Sequence, residues 1–298
     1  AGGACLVFLY CFSGFGLALL LGGERFATVE VEIYRLVAYE LDMARASVLV
    51  WLVLAATAAA GGLYAYWSKR VAVDKSVSPL PPRAPVRAWE KWLTATVLAM
   101  LVLCCLLPLA AVWLKAAAAG SSWAVLLEAQ TWAAAWNTIR FSVAAVATAT
   151  VLGVLYAAAA RQMAWLRALM FLPFMVSPVC IAFGVLLLYP QWTASLWLLT
   201  ATYALLAYPF VAKDVLAAWD GLPKDYAAAA RTMGANGFQT ACYVTAPLLK
   251  PALRRGLTLA SATCIGEFAA TLFLSRPEWQ TLTTLIYDYL GRAGADNY

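Results

Sequence analysis

Glu267 stands near the middle of a long apolar run, Gly256 to Leu274, and is the one acid inside such a run. A carboxylate in that setting costs a few kcal/mol to insert and normally faces a cavity or a partner. Glu267 is therefore a candidate for a translocation path that takes a cationic substrate, with a structural hydrogen bond to a neighbouring helix as the competing reading. Histidine is absent, which excludes an imidazole base, a His-ligated metal and a histidine pH switch. Cys5, Cys11, Cys104, Cys105, Cys180, Cys242 and Cys264 lie almost entirely in apolar runs with no CxxC pair, and read as small hydrophobes. No GxxxxGK[ST] loop occurs, so the chain does not cradle ATP by itself. Neither catalytic residues nor a metal centre are expected, and the protein is read as a non-enzyme.

A second group of residues is patterned for contact. The segment from Lys213 to Arg255 is too long for a turn between two helices, yet its periodicity is that of two short helices. Pro223 and Asp225 open the first, Tyr226, Ala229, Ala230 and Met233 share one face at i, i+3, i+4 and i+7, and Gly234 stops it. Asn236 caps the second, and Pro247 is expected to end it before Pro251 leads back into an apolar run. A small-residue face flanked by Met and Tyr fits a groove in another protein. The alternative is a helix lying on lipid headgroups.

These residues must be positioned by membrane helices. Of 298 residues, 64% are hydrophobic and 12% charged, against roughly 45–50% and about 25% in a soluble domain. A soluble globular protein is excluded. Seven runs are long enough to cross the bilayer: Gly3 to Gly22, Ser47 to Trp67, Leu93 to Trp113, Asn137 to Ala160, Ala168 to Tyr189, Ala194 to Val211 and Gly256 to Leu274. Pro173 and Pro178 are expected to kink the fifth. Alternate loops (68–92, 161–167 and 213–255) carry 14 of the 21 basic residues, which places them in the cytoplasm. The opposite loops hold nine of the fifteen acids. The net charge of +6 therefore reports orientation, not nucleic-acid binding. Tryptophans such as Trp67, Trp113, Trp136 and Trp192 fall near the ends of runs, where an indole prefers the headgroup level.

The chain also matches itself. Residues 3–34 align without gaps on 256–287, an offset of 253, with nine identities in 32 pairs that include Phe15/Phe268, Thr28/Thr281, Ile33/Ile286 and Tyr34/Tyr287. Both copies leave the cytoplasm at the same helix, so the repeat is parallel. The expected organisation is residues 1–70 as the end of a first repeat with two spans, a proline-rich cytoplasmic linker at 71–92, and 93–298 as a second repeat with five spans. If so, both ends are truncated, with about 160 residues of the first copy and the last helix of the second lacking.

The stretch Asp225-Tyr-Ala-Ala-Ala-Ala-Arg-Thr-Met-Gly234, followed after nine residues by Val244-Thr-Ala-Pro247, resembles the EAA loop of binding-protein-dependent ABC importer permeases. In that family the loop docks into the ATPase and transmits its closure to the membrane helices. Ala229 and Ala230 match its two alanines, Gly234 its turn glycine, Val244 its usual Ile and Pro247 its terminal proline, while Ala228 stands where the family usually has Glu. Asn137-Thr-Ile-Arg-Phe, Leu172-Pro-Phe-Met-Val-Ser-Pro-Val179 and Gly266-Glu-Phe268 are also similar to permease positions. The resemblance implies an all-α, polytopic transmembrane helical bundle of the type I ABC importer permease fold, multi-pass in the cell inner membrane. It implies as partners an ABC ATPase in two copies, which binds the ATP, an extracytoplasmic substrate-binding protein and the lipid bilayer, with no cofactor held by this chain and no nucleic acid. Fused two-copy permeases of this kind resemble thiamine and ferric-iron importers, and Leu20 to Tyr34 with Tyr39 to Arg45 are closer to the thiamine type. The expected cargo is a small cationic nutrient, thiamine first and ferric iron as the alternative. A secondary transporter is less well supported, because several intramembrane acids would be expected.

Overall fold

The computed structural model describes residues 11–12, 14–22, 25–70, 87–170, 173, 176–192, 195–274 and 276–291. Every regular element among them is helical. The first ten residues and the proline-rich part of the linker, 71–86, lie outside the described residues. The chain forms two compact units, residues 69–131 and residues 1–68 with 132–298.

Thirteen α-helices are described: α1 Phe15–Leu21, α2 Val29–Ala38, α3 Met43–Arg70, α4 Ala88–Ala118, α5 Ala129–Gln162, α6 Ala164–Leu169, α7 Pro178–Leu188, α8 Leu196–Asp220, α9 Lys224–Thr232, α10 Gly237–Thr240, α11 Ala246–Ile265, α12 Ala269–Leu274 and α13 Leu282–Gly291. Among the described residues, Met43–Leu63 of α3 and the whole of α4, α5 and α8 are long and apolar enough to cross a membrane. They coincide with the second, third, fourth and sixth runs of the sequence.

In the smaller unit, the Glu90 side chain accepts from the Arg87 N–H at 3.2 Å and fixes the start of α4. The Trp123 indole N–H donates to the Ala116 carbonyl at 2.9 Å and closes the turn that follows.

The larger unit is held by small residues. Ala145, Ala149, Gly153 and Ala157 recur every fourth residue and are buried along α5; Ala252, Gly256, Ala260 and Cys264 do the same along α11. Within a bilayer, where lipid is as apolar as leucine, such faces let backbones approach closely and gain dispersion contacts. α8 is the common partner: a Cβ added to Gly256 would lie 2.8 Å from the Val211 Cα, and one added to Gly153 would lie 2.8 Å from the Val211 Cβ.

Among the described residues, three of the seven expected spans are not continuous helices, the first breaking at Gly14 ahead of α1. The fifth breaks at Val176–Ser177, and Pro178 begins α7 instead of kinking it: the Ser177 Oγ accepts from the Val179 N–H at 3.2 Å, and proline at the first helical position costs no hydrogen bond. The seventh breaks at Gly266–Phe268, between α11 and α12. A second core joins α1, α2, α7 and α12 through Phe15, Val31, Ile33, Val179, Phe183 and Ala269.

Candidate functional site

The segment between α8 and α11 folds into the two helices expected. α9 carries Asp225 in its first turn and Arg231 in its last, both favourable to the helix dipole. Gly234 ends it at φ +86°, in the left-handed region that glycine enters without strain. The Gly234 N–H donates to the Arg231 carbonyl and the Ala235 N–H to the Ala230 carbonyl, both at 3.0 Å, which is the Schellman pattern. Asn236 then opens α10: its Oδ1 accepts from the Gln239 N–H at 2.8 Å, and the Gln239 Oε1 accepts from the Asn236 N–H at 2.9 Å.

Pro247 does not end this helix. Residues Ala241–Thr245 form a π turn, and Pro247 falls in the first turn of α11, so the helical path runs on toward the bilayer. The wider π turn shifts the bonding register, and Pro247 lands where no N–H is required.

The outcome is a groove of about 420 Å³ lined by Tyr226, Ala229, Ala230, Met233, Tyr243, Val244, Pro247 and Leu248. Six of the residues singled out in the sequence thus line one surface, while Asp225 and Gly234 stand outside it and shape α9. Tyr226, Met233 and Tyr243 are 52, 88 and 79% exposed, so the apolar rim is unoccupied within the described chain. Tyr243 and Leu248 were missed because the π turn displaces them from simple helical spacing.

Glu267 is buried where α11 breaks. Its Oε1 accepts from the Ala270 N–H at 3.0 Å, at the start of α12, and its backbone carbonyl accepts from the Thr283 hydroxyl at 3.1 Å. The carboxylate therefore serves first as the cap that permits the break, in line with the structural reading. Asn137 holds the same region: its Nδ2 donates to the carbonyls of Glu278 and Gln280 at 3.1 and 3.0 Å, and the neighbouring Thr138 hydroxyl accepts from the Leu282 N–H at 3.0 Å.

Glu30 was not recognised in the sequence. It lies in the first turn of α2, is 1% exposed, and neither carboxylate oxygen has a hydrogen-bond partner among the described residues. The signal was present: Glu30, Ile33, Tyr34 and Val37 follow i, i+3, i+4, i+7 on the buried face. Burial pushes its carboxyl up to about 7, and the nearby Ser177 side chain tempers this. Because the folded group holds its proton more tightly than the unfolded one, folded stability is full at low pH and falls as pH rises through 7. Between pH 5 and pH 8 the loss from this group is about 3 kcal/mol. Thermal midpoints in detergent are expected to fall over that range in the wild type and to fall less in Glu30→Gln; equal slopes would contradict the assignment.

Apolar helices long enough to span a bilayer, with a structured loop that carries an open apolar groove, define a polytopic membrane protein. Residues 149–291 match the family described as "Binding-protein-dependent transport system inner membrane component", and the chain is homologous to permeases of binding-protein-dependent ABC importers. It is 25% identical to the thiamine transport system permease protein ThiP of Escherichia coli K12 over 97% of this chain and 56% of that protein. PhnV of Salmonella typhimurium, described as a 2-aminoethylphosphonate transport system permease protein, is 26% identical over 56% of this chain and 66% of its own length. The sulfate transport system permease protein CysT of E. coli K12 is 34% identical over 40% of this chain and 48% of its own length. The chain thus spans about half the length of these relatives. It is a multi-pass inner-membrane protein.

Proposed function

We propose that this chain belongs to the membrane-spanning subunit of an ATP-driven importer. An external binding protein delivers a small cationic nutrient, and closure of two ATPase subunits, one of them seated on the 213–255 segment, drives the switch in access. The observation that carries this reading is the exposed groove formed by α9, the π turn and the start of α11, built from the residues that match the family's coupling loop. Asp225 and Gly234 set the pose of α9, while Tyr226, Ala229, Ala230, Met233, Val244 and Pro247 meet the ATPase. Glu267 holds the broken helix open at the pathway.

The two-copy organisation is part of the proposal. It is supported by α2 and α13, whose bounds differ by the same 253 residues that relate the matching sequences, and by α1 and α12, which end at that offset. The paired rings also meet: Phe15 contacts Tyr34, Phe268 contacts Tyr287, and Phe15 stacks on Phe268 with centroids 5.9 Å apart.

Thiamine is the proposed cargo, supported by the breadth of the match to ThiP, which spans nearly all of this chain, whereas the phosphonate and sulfate permeases match narrower parts. The test is uptake into proteoliposomes containing the intact permease, its ATPase and its binding protein. ATP-dependent uptake of thiamine is expected, with none of sulfate or 2-aminoethylphosphonate. Uptake of sulfate or ferric iron without thiamine would overturn the cargo assignment.

A further inference from the structure

Glu30 lies apart from the α9 groove and from the Glu267 cap. An acid kept for stability in the first turn of a helix would bond to the free N–H groups there, as Glu267 does at α12. Glu30 does not, and no Lys or Arg among the described residues pairs with it. Such a carboxyl is costly to bury, and with only the Ser177 hydroxyl close to it as a hydrogen-bond donor among the described residues it keeps most of its acceptor capacity to offer.

The groups beside it, Ser177 and Cys180, are neutral, and a cluster of rings begins one turn along α2. One turn along the same face, Tyr34 meets Phe15 edge-on with centroids 5.8 Å apart. Phe15 stacks on Phe268, which contacts Tyr287 at 5.5 Å. α1 carries no charged residue, and α7 presents the Ser177 hydroxyl and the Cys180 thiol. α13 approaches through Tyr287, while its Asp288 is bonded to Gln280. α3 adds the apolar Met43 and Ala46. Glu30 thus sits where α2 packs on α7, between the two proposed copies.

We infer that Glu30 and the ring cluster of Phe15, Tyr34, Phe268 and Tyr287 form a binding site for an organic cation in the seam between the copies. This rests on the cationic-cargo reading above. Ring faces attract weakly hydrated, delocalised positive charge, and a single carboxylate completes the match. A hard metal ion needs several anionic or imidazole ligands, and the described residues hold no group of three His, Cys, Asp or Glu that would supply them. As packed here, burial favours the neutral acid at Glu30. When α2 parts from α7, water enters, the O–H bond breaks, the proton passes to water, and the carboxylate pairs with the incoming cation. No other bond is made or lost.

The test is thiamine uptake by cells carrying the intact permease, its ATPase and its binding protein. Glu30→Gln is expected to raise KM about tenfold while co-purification with the ATPase is unchanged, and Glu30→Asp to restore most of the loss. The wild-type KM falls as pH rises through 7, and that of Glu30→Gln is flat. Phe15→Leu reads the ring half separately, with a rise of roughly threefold or more. Wild-type KM and pH profile in Glu30→Gln, or wild-type KM in Phe15→Leu, would overturn the site alone. A wild-type permease that moves sulfate or ferric iron and not thiamine would overturn the cargo reading, and the site with it.

Discussion

Replacing Gly234 by proline is expected to abolish co-purification with the ATPase and to reduce uptake at least a hundredfold, while the protein still inserts. The position has φ +86°, which a proline ring fixed near −65° does not reach. The substitution also removes the N–H that donates to the Arg231 carbonyl at 3.0 Å. α9 then loses both its stop and its angle to α10, and the groove between Tyr226 and Val244 loses one wall. Gly234→Ala keeps the N–H and costs only about 1 kcal/mol. It should retain most binding. Pull-down of the ATPase from detergent extracts, with membrane yield as the insertion control, checks both variants; equal binding by Gly234→Pro would remove the coupling role from this segment.

Gly256→Val is expected to have the largest effect on stability. A β carbon at Gly256 would sit 2.8 Å from the Val211 Cα and 3.2 Å from the Phe210 carbonyl oxygen, both backbone atoms that no rotamer change moves away. α8 and α11 would have to separate along a face where Val211 and Ala260 are fully buried. The cost is roughly 3 kcal/mol or more, by the overpacking argument applied to a backbone contact. A lower thermal midpoint in detergent and a reduced yield are the readouts. Gly237→Ala, where an added Cβ meets nothing within 4 Å, should leave both unchanged. Comparable midpoints for Gly256→Val and the wild type would contradict the close packing.

The features that proved legible in the sequence are those set by local chemistry. The face Tyr226, Ala229, Ala230 and Met233 emerged from helical spacing, the stop at Gly234 from its freedom at positive φ, and the cap at Asn236 from side-chain geometry. Long apolar runs located the four long spans because length and hydropathy suffice for that. Hydropathy is blind to the breaks at Ser177 and Gly266–Phe268: an apolar run reads the same whether one helix or two short ones occupy it. Those breaks depend on caps, the Ser177 hydroxyl for α7 and the Glu267 carboxylate for α12. Pro247 misled because a π turn supplies a place for proline inside a helical path. Glu30 escaped because it was counted only among the acids of the loops opposite the cytoplasmic set, whereas the apolar periodicity around it marked a buried face. Both signals were in the same ten residues, and packing decided between them.

In the proposed function the α9 groove receives an ATPase and does not rest on lipid. Met233 is the position to ask, being 88% exposed at the rim of the groove. A photo-reactive benzoylphenylalanine in place of Met233, illuminated in membranes that contain the intact permease and its ATPase, is expected to give a covalent adduct with the ATPase. Labelling of lipid alone, with no ATPase adduct, would contradict the account and assign α9 to the membrane surface.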